Sequence, residues 1–304
     1  MVEEIKKREI HAQVRPFLGK LSIVSKRLSL ASIIGGYKST FKGRGLEFDG
    51  YTVYDPSEDA ERIDWKASLR AAQLLMKDYV EEREVPIFFI IDVGDSMVFG
   101  STEKLKNEYV IEVVAALSFL ALEAGDSVGY AIFANEVRNS VQVSKDKKQI
   151  YVLSKFLFDP KNYGGGMNLT NATNFALSFL KKRAIVIIVS DFIGLEENWK
   201  DALKLLSTRH DMIGIMVRDP RDFTMPDIDM RVMIRDPRTG DQMLIEPSKI
   251  KKDYEEEASA REQEIEQGFR SVNSDFLKLR TDVNFVNPII EFFRKRGARY
   301  AHTV

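Results

Sequence analysis

Pro86-Ile-Phe-Phe-Ile-Ile-Asp92 is an almost wholly apolar run that ends in an acid. Such a run is typical of a central parallel strand, because helices cover both faces of a parallel sheet. Asp126-Ser-Val-Gly-Tyr-Ala-Ile-Phe133 and Ala184-Ile-Val-Ile-Ile-Val-Ser-Asp191 have the same character. The sequence also predicts a fourth strand at residues 211–217 and a short edge strand at residues 137–143.

Helical segments alternate with these strands. The apolar spacing predicts helices at residues 103–123, 147–158, 171–182 and 198–207. In the longest of them the apolar residues form one stripe, which is the pattern of a helix packed on a sheet. The alternation predicts an α/β fold with a doubly wound, mainly parallel sheet.

Two regions flank the predicted core, which spans residues 85–218. Residues 1–84 form an accessory N-terminal region, and Trp65 is predicted to anchor a buried network that pins this region to the core. Residues 219–304 are predicted to form a late β-hairpin, around Pro237-Arg-Thr-Gly240, and C-terminal helices that pack on the core. The predicted elements of the two regions are a helix at 67–76, hairpin strands at 230–234 and 242–245, a charged helix at 248–267 and a last helix at 286–296.

The composition limits the classes of function. The chain has 304 residues, with 45 Lys and Arg against 46 Asp and Glu, so no net field favours nucleic acid or anionic membranes. The chain has no Cys, which excludes disulfides and is typical of the reducing cytoplasm. No apolar run approaches the roughly 18–20 residues of a membrane span, and residues 1–20 have no apolar signal segment. We therefore predict a soluble, cytoplasmic protein without a membrane span or a nucleic-acid partner.

The sequence has no clear catalytic motif. His11, His210 and His302 are scattered along the chain, so neither a zinc cluster nor a histidine-based triad is indicated. Gly35-Gly-Tyr-Lys-Ser-Thr40 lacks the spacing of a phosphate-binding loop. We therefore predict that the protein is not an enzyme.

Two of the predicted core strands end in aspartates, Asp92 and Asp191. In a doubly wound sheet ligands bind beyond the carboxyl ends of the strands, so two acids that converge there can hold a hard divalent cation. Ser96, in the turn after the first strand, can offer its hydroxyl to the same ion. The alternative is structural, since an aspartate at a strand end can also accept hydrogen bonds from the backbone of the following turn or helix.

The pattern around these residues resembles the metal-ion-dependent adhesion site of von Willebrand factor A-type (vWA) domains. That site has Asp-x-Ser-x-Ser after the first strand, a threonine on a later loop and an aspartate after the fourth strand. Asp92, Ser96 and Asp191 match these positions. Gly94 replaces the first serine, and Met167 replaces the threonine. The resemblance implies a protein-binding module whose contact includes Mg²⁺, or Mn²⁺ or Ca²⁺, with an acidic side chain of the partner as a further ligand.

We call the predicted partner-binding surface the rim. Its residues are Asp92, Gly94, Asp95, Ser96, Gly166, Met167, Asn168, Thr170 and Asp191. Thr170 can replace the missing threonine only if its loop, residues 164–170, is rearranged. Met167 also fits ordinary loop packing, because methionine adapts to varied neighbours.

A second resemblance covers the chain from about residue 35 to residue 296. Lys42-Gly-Arg-Gly-Leu-Glu-Phe48, Tyr54-Asp-Pro-Ser-Glu-Asp-Ala-Glu-Arg-Ile-Asp-Trp65 and Glu81-Glu-Arg-Glu84 resemble the signature of a prokaryotic family of vWA-like proteins of unknown function. That family is typically encoded beside MoxR-type AAA+ ATPases. The resemblance implies a chaperone-like adaptor that works with such an ATPase in the assembly or maturation of other proteins.

Two alternatives to a cation-dependent adaptor stay open. The first is a metal-independent scaffold that uses the same rim, or the acidic helix after Ser248, to bind its partner. The second is a Mg²⁺-dependent hydrolase that acts on phosphate esters in the crevice between Asp92 and Asp191.

Overall fold

The computed structural model describes residues 46–55, 59–81, 86–235 and 240–301. The first part of the accessory region, residues 1–45, and most of the predicted hairpin turn lie outside the described residues. In chain order the elements are β1 (Leu46–Val53), α1 (Trp65–Ala71), β2 (Leu75–Glu81), β3 (Ile87–Asp92), α2 (Lys106–Glu123), β4 (Val128–Phe133), β5 (Val137–Ser144), α3 (Lys148–Leu157), α4 (Leu169–Phe179), β6 (Ile185–Ser190), α5 (Trp199–Ser207), β7 (Asp211–Arg218), β8 (Val232–Arg235), β9 (Gln242–Ile245), α6 (Pro247–Ser271), β10 (Asp275–Arg280) and α7 (Val286–Ala301).

A six-stranded sheet forms the centre of the protein, with the strand order β10-β7-β6-β3-β4-β5. Neighbouring strands run parallel, except that the edge strand β5 is antiparallel to β4. The apolar strands β3 and β6 are buried along their whole length. The predicted α/β fold, its mainly parallel sheet and its edge strand are confirmed. The chain passes from β3 to β4 in one direction and from β6 to β7 in the other, so the strand order reverses between β3 and β6.

Helices cover both faces of this sheet. On one face, α2, α3 and α7 enclose a core cluster that includes Phe89 and Ile289. On the other face, α4, α5 and α6 enclose a second cluster that includes Phe88 and Phe269. Successive side chains of a strand point to opposite faces of the sheet, and here helices bury both faces. This double burial explains why the central strands show no alternation of apolar and polar residues.

A strand that the sequence pattern does not predict, β10, lies at one edge of the sheet. It pairs in parallel with β7, from Asp275 opposite Ile213 to Arg280 opposite Arg218. From Leu277 onwards its residues alternate between buried and exposed, and the exposed positions are charged. These charges interrupt the apolar run that reveals the central strands. Residues 219–304 therefore contribute a strand to the central sheet as well as the predicted hairpin and helices.

The late β-hairpin is confirmed. β8 and β9 pair antiparallel, with Val232 opposite Ile245 and Arg235 opposite Gln242. The charged helix that follows, α6, has 25 residues and buries mainly Ile265 and its neighbours near its C-terminal end, so most of its length is a solvated face. Within the described residues, no helix combines the length and the apolar character that crossing a membrane requires.

The described part of the accessory region is an antiparallel pair, β1 with β2, connected through α1. The predicted helix at residues 67–76 is too long, because α1 ends and β2 begins within that span. Asp64 caps α1, and its carboxylate accepts hydrogen bonds from the backbone N–H groups of Lys66 and Ala67 at 3.0 and 3.1 Å. The prediction that Trp65 anchors a buried network is wrong, because this residue is 63% exposed.

The contact between α5 and α6 gives a test of the packing. A Cβ atom placed on Gly268 would lie 2.2 Å from Cη2 of Trp199. The Gly268→Ala substitution should therefore lower the free energy of unfolding by about 1–2 kcal/mol, because overpacking outweighs the gain of about 1 kcal/mol in helix propensity. Urea unfolding measures this change. Ser259→Ala, on the exposed side of α6, is the matched control and should have little effect. An unchanged or higher stability of the Gly268→Ala protein would contradict the packing described here.

Candidate functional site

The two predicted aspartates lie side by side where the strand order reverses. β3 and β6 are neighbours, with Ile91 opposite Val189, and Asp92 and Asp191 stand at their carboxyl ends. Both are buried, at 1% and 0% exposure respectively. The structure thus brings together two residues that are far apart in sequence, at the edge of the sheet where ligands bind in doubly wound folds.

Asp92 is held by one backbone and one side-chain donor. Its Oδ1 accepts a hydrogen bond of 2.8 Å from the N–H of Gly94, and its Oδ2 accepts one of 2.6 Å from the hydroxyl of Ser190. Burial, followed by the charge of Asp191, raises the pKa of Asp92 to about 7, although both hydrogen bonds and the charge of Lys106 act against this rise. Asp92 therefore titrates near neutral pH.

Asp191 accepts hydrogen bonds at both of its carboxylate oxygens. Its Oδ1 accepts from the Ser96 hydroxyl at 3.1 Å and from the N–H of Ile193 at 3.0 Å. Its Oδ2 accepts from the ammonium of Lys106 at 2.6 Å. The three predicted metal ligands, Asp92, Ser96 and Asp191, are therefore grouped as the sequence suggests, but Asp191 already has a cation beside it.

Lys106 and Asp222 belong to this site, and the sequence pattern does not reveal them. Lys106 is 1% exposed, and its Nζ lies 3.0 Å from Oδ2 of Asp222 as well as close to Asp191. Burial lowers the pKa of Lys106, but the charges of Asp191 and Asp222 more than offset this effect and raise that pKa above its usual value. A lysine at the start of a helix gives no signal of such a role, because the partner carboxylates are defined only by the fold.

Hydrogen bonds connect the two loops of the rim, which are the turn after β3 and the glycine loop at residues 164–166. The short 3-10 helix Asp95–Val98 follows β3, and the backbone N–H of Asp95 donates to the carbonyl of Gly165 at 2.9 Å. In return, the N–H of Gly165 donates to the Asp95 carboxylate at 2.9 Å. Gly164 and Gly165 adopt φ values of +121° and +83°, which favour glycine because a Cβ atom is strained there. These two hydrogen bonds join Asp95 to Gly165, the residue before the predicted rim residue Gly166.

The remaining rim residues do not direct ligand atoms at the two aspartates. Met167 is 8% exposed and packs in the core between the sheet and α4, with its Sδ 3.6 Å from the Ser190 hydroxyl. The side chain of Asn168 caps α4. The hydroxyl of Thr170 donates to Glu196 at 2.6 Å, so it does not replace the missing threonine of the adhesion site.

The side chains present do not fit a divalent cation in this arrangement. A hard cation needs several oxygen ligands, but position 94 has no side chain and Met167 offers a thioether. A serine at position 94 would also be crowded, since its Cβ would lie 3.1 Å from Oδ1 of Asp92. The Lys106 ammonium beside Asp191 would repel a second cation. Among the described residues, no group of three or more His, Cys, Asp or Glu side chains is placed to hold a metal ion.

Two apolar side chains stand exposed beside this buried cluster. Val98 and Phe99, at the end of the 3-10 helix, are 37% and 44% exposed. The ring of Phe99 also lies 5.6 Å from the Lys106 ammonium, which connects the exposed surface to the ion pairs below it. The sequence analysis does not single out these two residues, because an isolated apolar pair in a loop has no distinctive pattern.

These features define a class of protein, an α/β protein with a central, mostly parallel sheet flanked by helices. A von Willebrand factor type A structure from Catenulispora acidiphila is similar at 11% identity and a TM-score of 0.38, over 75% of this chain and 44% of that chain. The conserved hypothetical protein BatB from Bacteroides thetaiotaomicron is similar at 15% identity and a TM-score of 0.44, over 72% of this chain and 99% of that chain.

Residues 51–264 match the family described as protein of unknown function DUF58. The match covers more than half of the chain, and the chain therefore belongs to this family. The uncharacterized protein Mb1516 of Mycobacterium bovis is 25% identical over 274 residues, which are 88% of this chain and 86% of that protein. The uncharacterized protein MAV169 of Mycobacterium avium is 33% identical over 121 residues, which are 39% of this chain and 70% of that protein. The predicted membership in a family of unknown function is confirmed.

The raised pKa of Asp92 gives a pH-dependent test of the site. Because this pKa of about 7 lies above the usual 3.8, the folded protein binds more protons than the unfolded chain between these values. The stability of the wild type should therefore fall as the pH rises through this window. Asp92→Asn keeps the shape of the side chain without its charge and should remove this fall. The free energy of unfolding of the variant minus that of the wild type should therefore increase by about 2 kcal/mol from pH 5 to pH 8.

Urea unfolding of both proteins across this pH range measures the difference. Asp146→Asn is the control and should follow the wild-type pH dependence. Asp146 is exposed and follows β5 near the amino end of β4, whereas Asp92 lies at the carboxyl end of β3. Parallel pH profiles for the wild type and the Asp92→Asn protein would contradict the burial of a titrating carboxyl group at this site.

Proposed function

We propose that this protein is a non-catalytic, protein-binding adaptor of the vWA type. It acts in the cytoplasm with a MoxR-type AAA+ ATPase in the assembly or maturation of other proteins. The resemblance of the sequence to a family encoded beside such ATPases supports this partner. The contact lies at the carboxyl edge of the sheet and needs no bridging cation.

One observation carries this proposal, the exposure of Val98 and Phe99 directly above a buried polar cluster. An aromatic and a branched side chain at a rigid edge are the kind of residue that anchors a protein interface. The hydrogen bonds between Asp95 and the glycine loop hold this edge in place, so little ordering is required when a partner binds.

The state of the carboxylates supports a binding role over hydrolysis. A phosphate-ester hydrolase needs a carboxylate that reaches its substrate or its metal ion. Asp92 and Asp191 are 1% and 0% exposed, and their oxygens accept hydrogen bonds from neighbouring donors. These acids stabilise the sheet edge that presents the apolar residues.

Substitution of Phe99 tests the proposed surface. Phe99→Ser should weaken binding to a purified MoxR-type ATPase from the same organism by about 10- to 30-fold, as expected for an aromatic residue at the centre of an interface. The midpoint of thermal unfolding should stay near that of the wild type, because the side chain is largely exposed. Isothermal titration calorimetry measures the affinity.

Leu205→Ser is the matched control. Leu205 is an exposed apolar residue near the end of α5, and α5 runs from the carboxyl edge of the sheet to the amino edge. Its substitution should leave the affinity unchanged. Equal losses in both variants, or none in either, would place the binding surface elsewhere.

A further inference from the structure

Lys106 lies against the carboxylate for which the resemblance to vWA domains predicts a divalent cation. Its Nζ is 2.6 Å from Oδ2 of Asp191 and 3.0 Å from Oδ2 of Asp222, and the three side chains are at most 9% exposed. We propose that the Lys106 ammonium is the resident cation of this site and supplies the positive charge beside Asp191 in place of a divalent ion. The strand-end carboxylates then need no metal ion for their neutralisation.

The place of Lys106 in its helix supports a dedicated role for its charge. It is the first residue of α2, and the partial positive charge of the helix dipole makes that end unfavourable for a cation. Burial of an ammonium is unfavourable as well, unless carboxylates compensate for the lost water. Asp191 and Asp222 provide this compensation from segments 85 and 116 residues further along the chain. An apolar side chain would avoid both penalties, but it would leave the two buried carboxylates without a counter-charge, so the position requires the ammonium itself.

The same contacts exclude a divalent ion from the Asp191 carboxylate. An ion bound to Oδ2 of Asp191 would lie within a few ångströms of the Lys106 ammonium, where like charges repel strongly because both side chains are buried. The predicted ligand set also lacks oxygen atoms at Gly94 and Met167. Gly94 and Met167 remove two metal ligands of the adhesion-site pattern, and Lys106 supplies a positive charge at the same place. Both differences from that pattern favour a site without a divalent ion.

The geometry also predicts what truncation of Lys106 would create. Three carboxylate oxygens converge on its Nζ, one from Asp191 at 2.6 Å and two from Asp222 at 3.0 and 3.3 Å. Calcium ions bind oxygen at about 2.3–2.6 Å, so a small inward movement would bring these oxygens into range. Ser96 and water can supply further ligands. Lys106→Ala should therefore convert the site into a cation site that the wild type does not have.

Thermal unfolding of the full chain tests this inference. The wild type should unfold at the same temperature in EDTA and in excess Ca²⁺, Mg²⁺ or Mn²⁺ at constant ionic strength. Lys106→Ala should unfold at a lower temperature in EDTA and regain about 4 °C when Ca²⁺ is about 100-fold above its dissociation constant. Lys106→Met is the matched control. It removes the charge but still fills the space, so it should be destabilised without any recovery in Ca²⁺.

Two outcomes would overturn the proposal. The first is a wild-type midpoint that rises with any of the three ions and loses this rise in Asp191→Ala, since a divalent site would then exist beside Lys106. The second is an equal response of Lys106→Ala and Lys106→Met to Ca²⁺. The wild-type measurement decides the first point even if neither lysine variant folds.

This inference goes beyond the proposed function, because ion binding is measured without any partner. If the wild type ignores divalent ions but Phe99→Ser leaves the affinity for the ATPase unchanged, the proposed partner surface fails and the role of Lys106 stands. If the ions stabilise the wild type, the role of Lys106 fails whatever the partner assay shows.

Discussion

Lys106 donates a 2.6 Å hydrogen bond to Asp191 in a place where neither side chain reaches solvent. Together with the contact between Lys106 and Asp222, this pair joins three segments, namely the start of α2, the end of β6 and the short helix Pro220–Asp222 after β7. A buried ion pair is stable only when further hydrogen bonds replace the lost water. Ser96, Ile193 and Asp222 provide these bonds, and the carboxyl edge of the sheet depends on their joint geometry.

The rim is built outward from this buried cluster. Asp92 accepts a hydrogen bond from the backbone of Gly94 and so shapes the turn after β3, while Asp95 fixes that turn to the glycine loop. Phe99 directly follows the 3-10 helix of this turn, and its ring lies near the Lys106 ammonium. The turn after β3 thus has buried charged groups on its inner side and the exposed apolar residues Val98 and Phe99 on its outer side. This combination suits a surface that binds another protein without rearranging.

The two aspartates show how a familiar pattern can serve a different purpose. In the sequence they resemble the ligands of an adhesion site, and the fold does place them together. The structure assigns them hydrogen bonds from Ser190, from backbone N–H groups and from a lysine. The resemblance of the sequence to an adhesion site is therefore compatible with a site in which a lysine supplies the positive charge.

The sequence by itself determined the central strands and the helices between them, because burial on both faces or on one stripe leaves a periodic signature in neighbouring residues. It determined the late hairpin through the turn residues Pro237-Arg-Thr-Gly240. The sequence pattern did not predict β10, because a strand at the edge of the sheet can have charged residues at alternate positions. The prediction that Trp65 is buried was wrong. The sequence pattern placed Asp92, Ser96 and Asp191 at one sheet edge, since carboxyl ends of parallel strands share an edge. Only the tertiary structure decided that Lys106 neutralises Asp191 and that Thr170 faces Glu196. Such pairings join residues distant in sequence, and their energy depends on burial and distance, which no local pattern records.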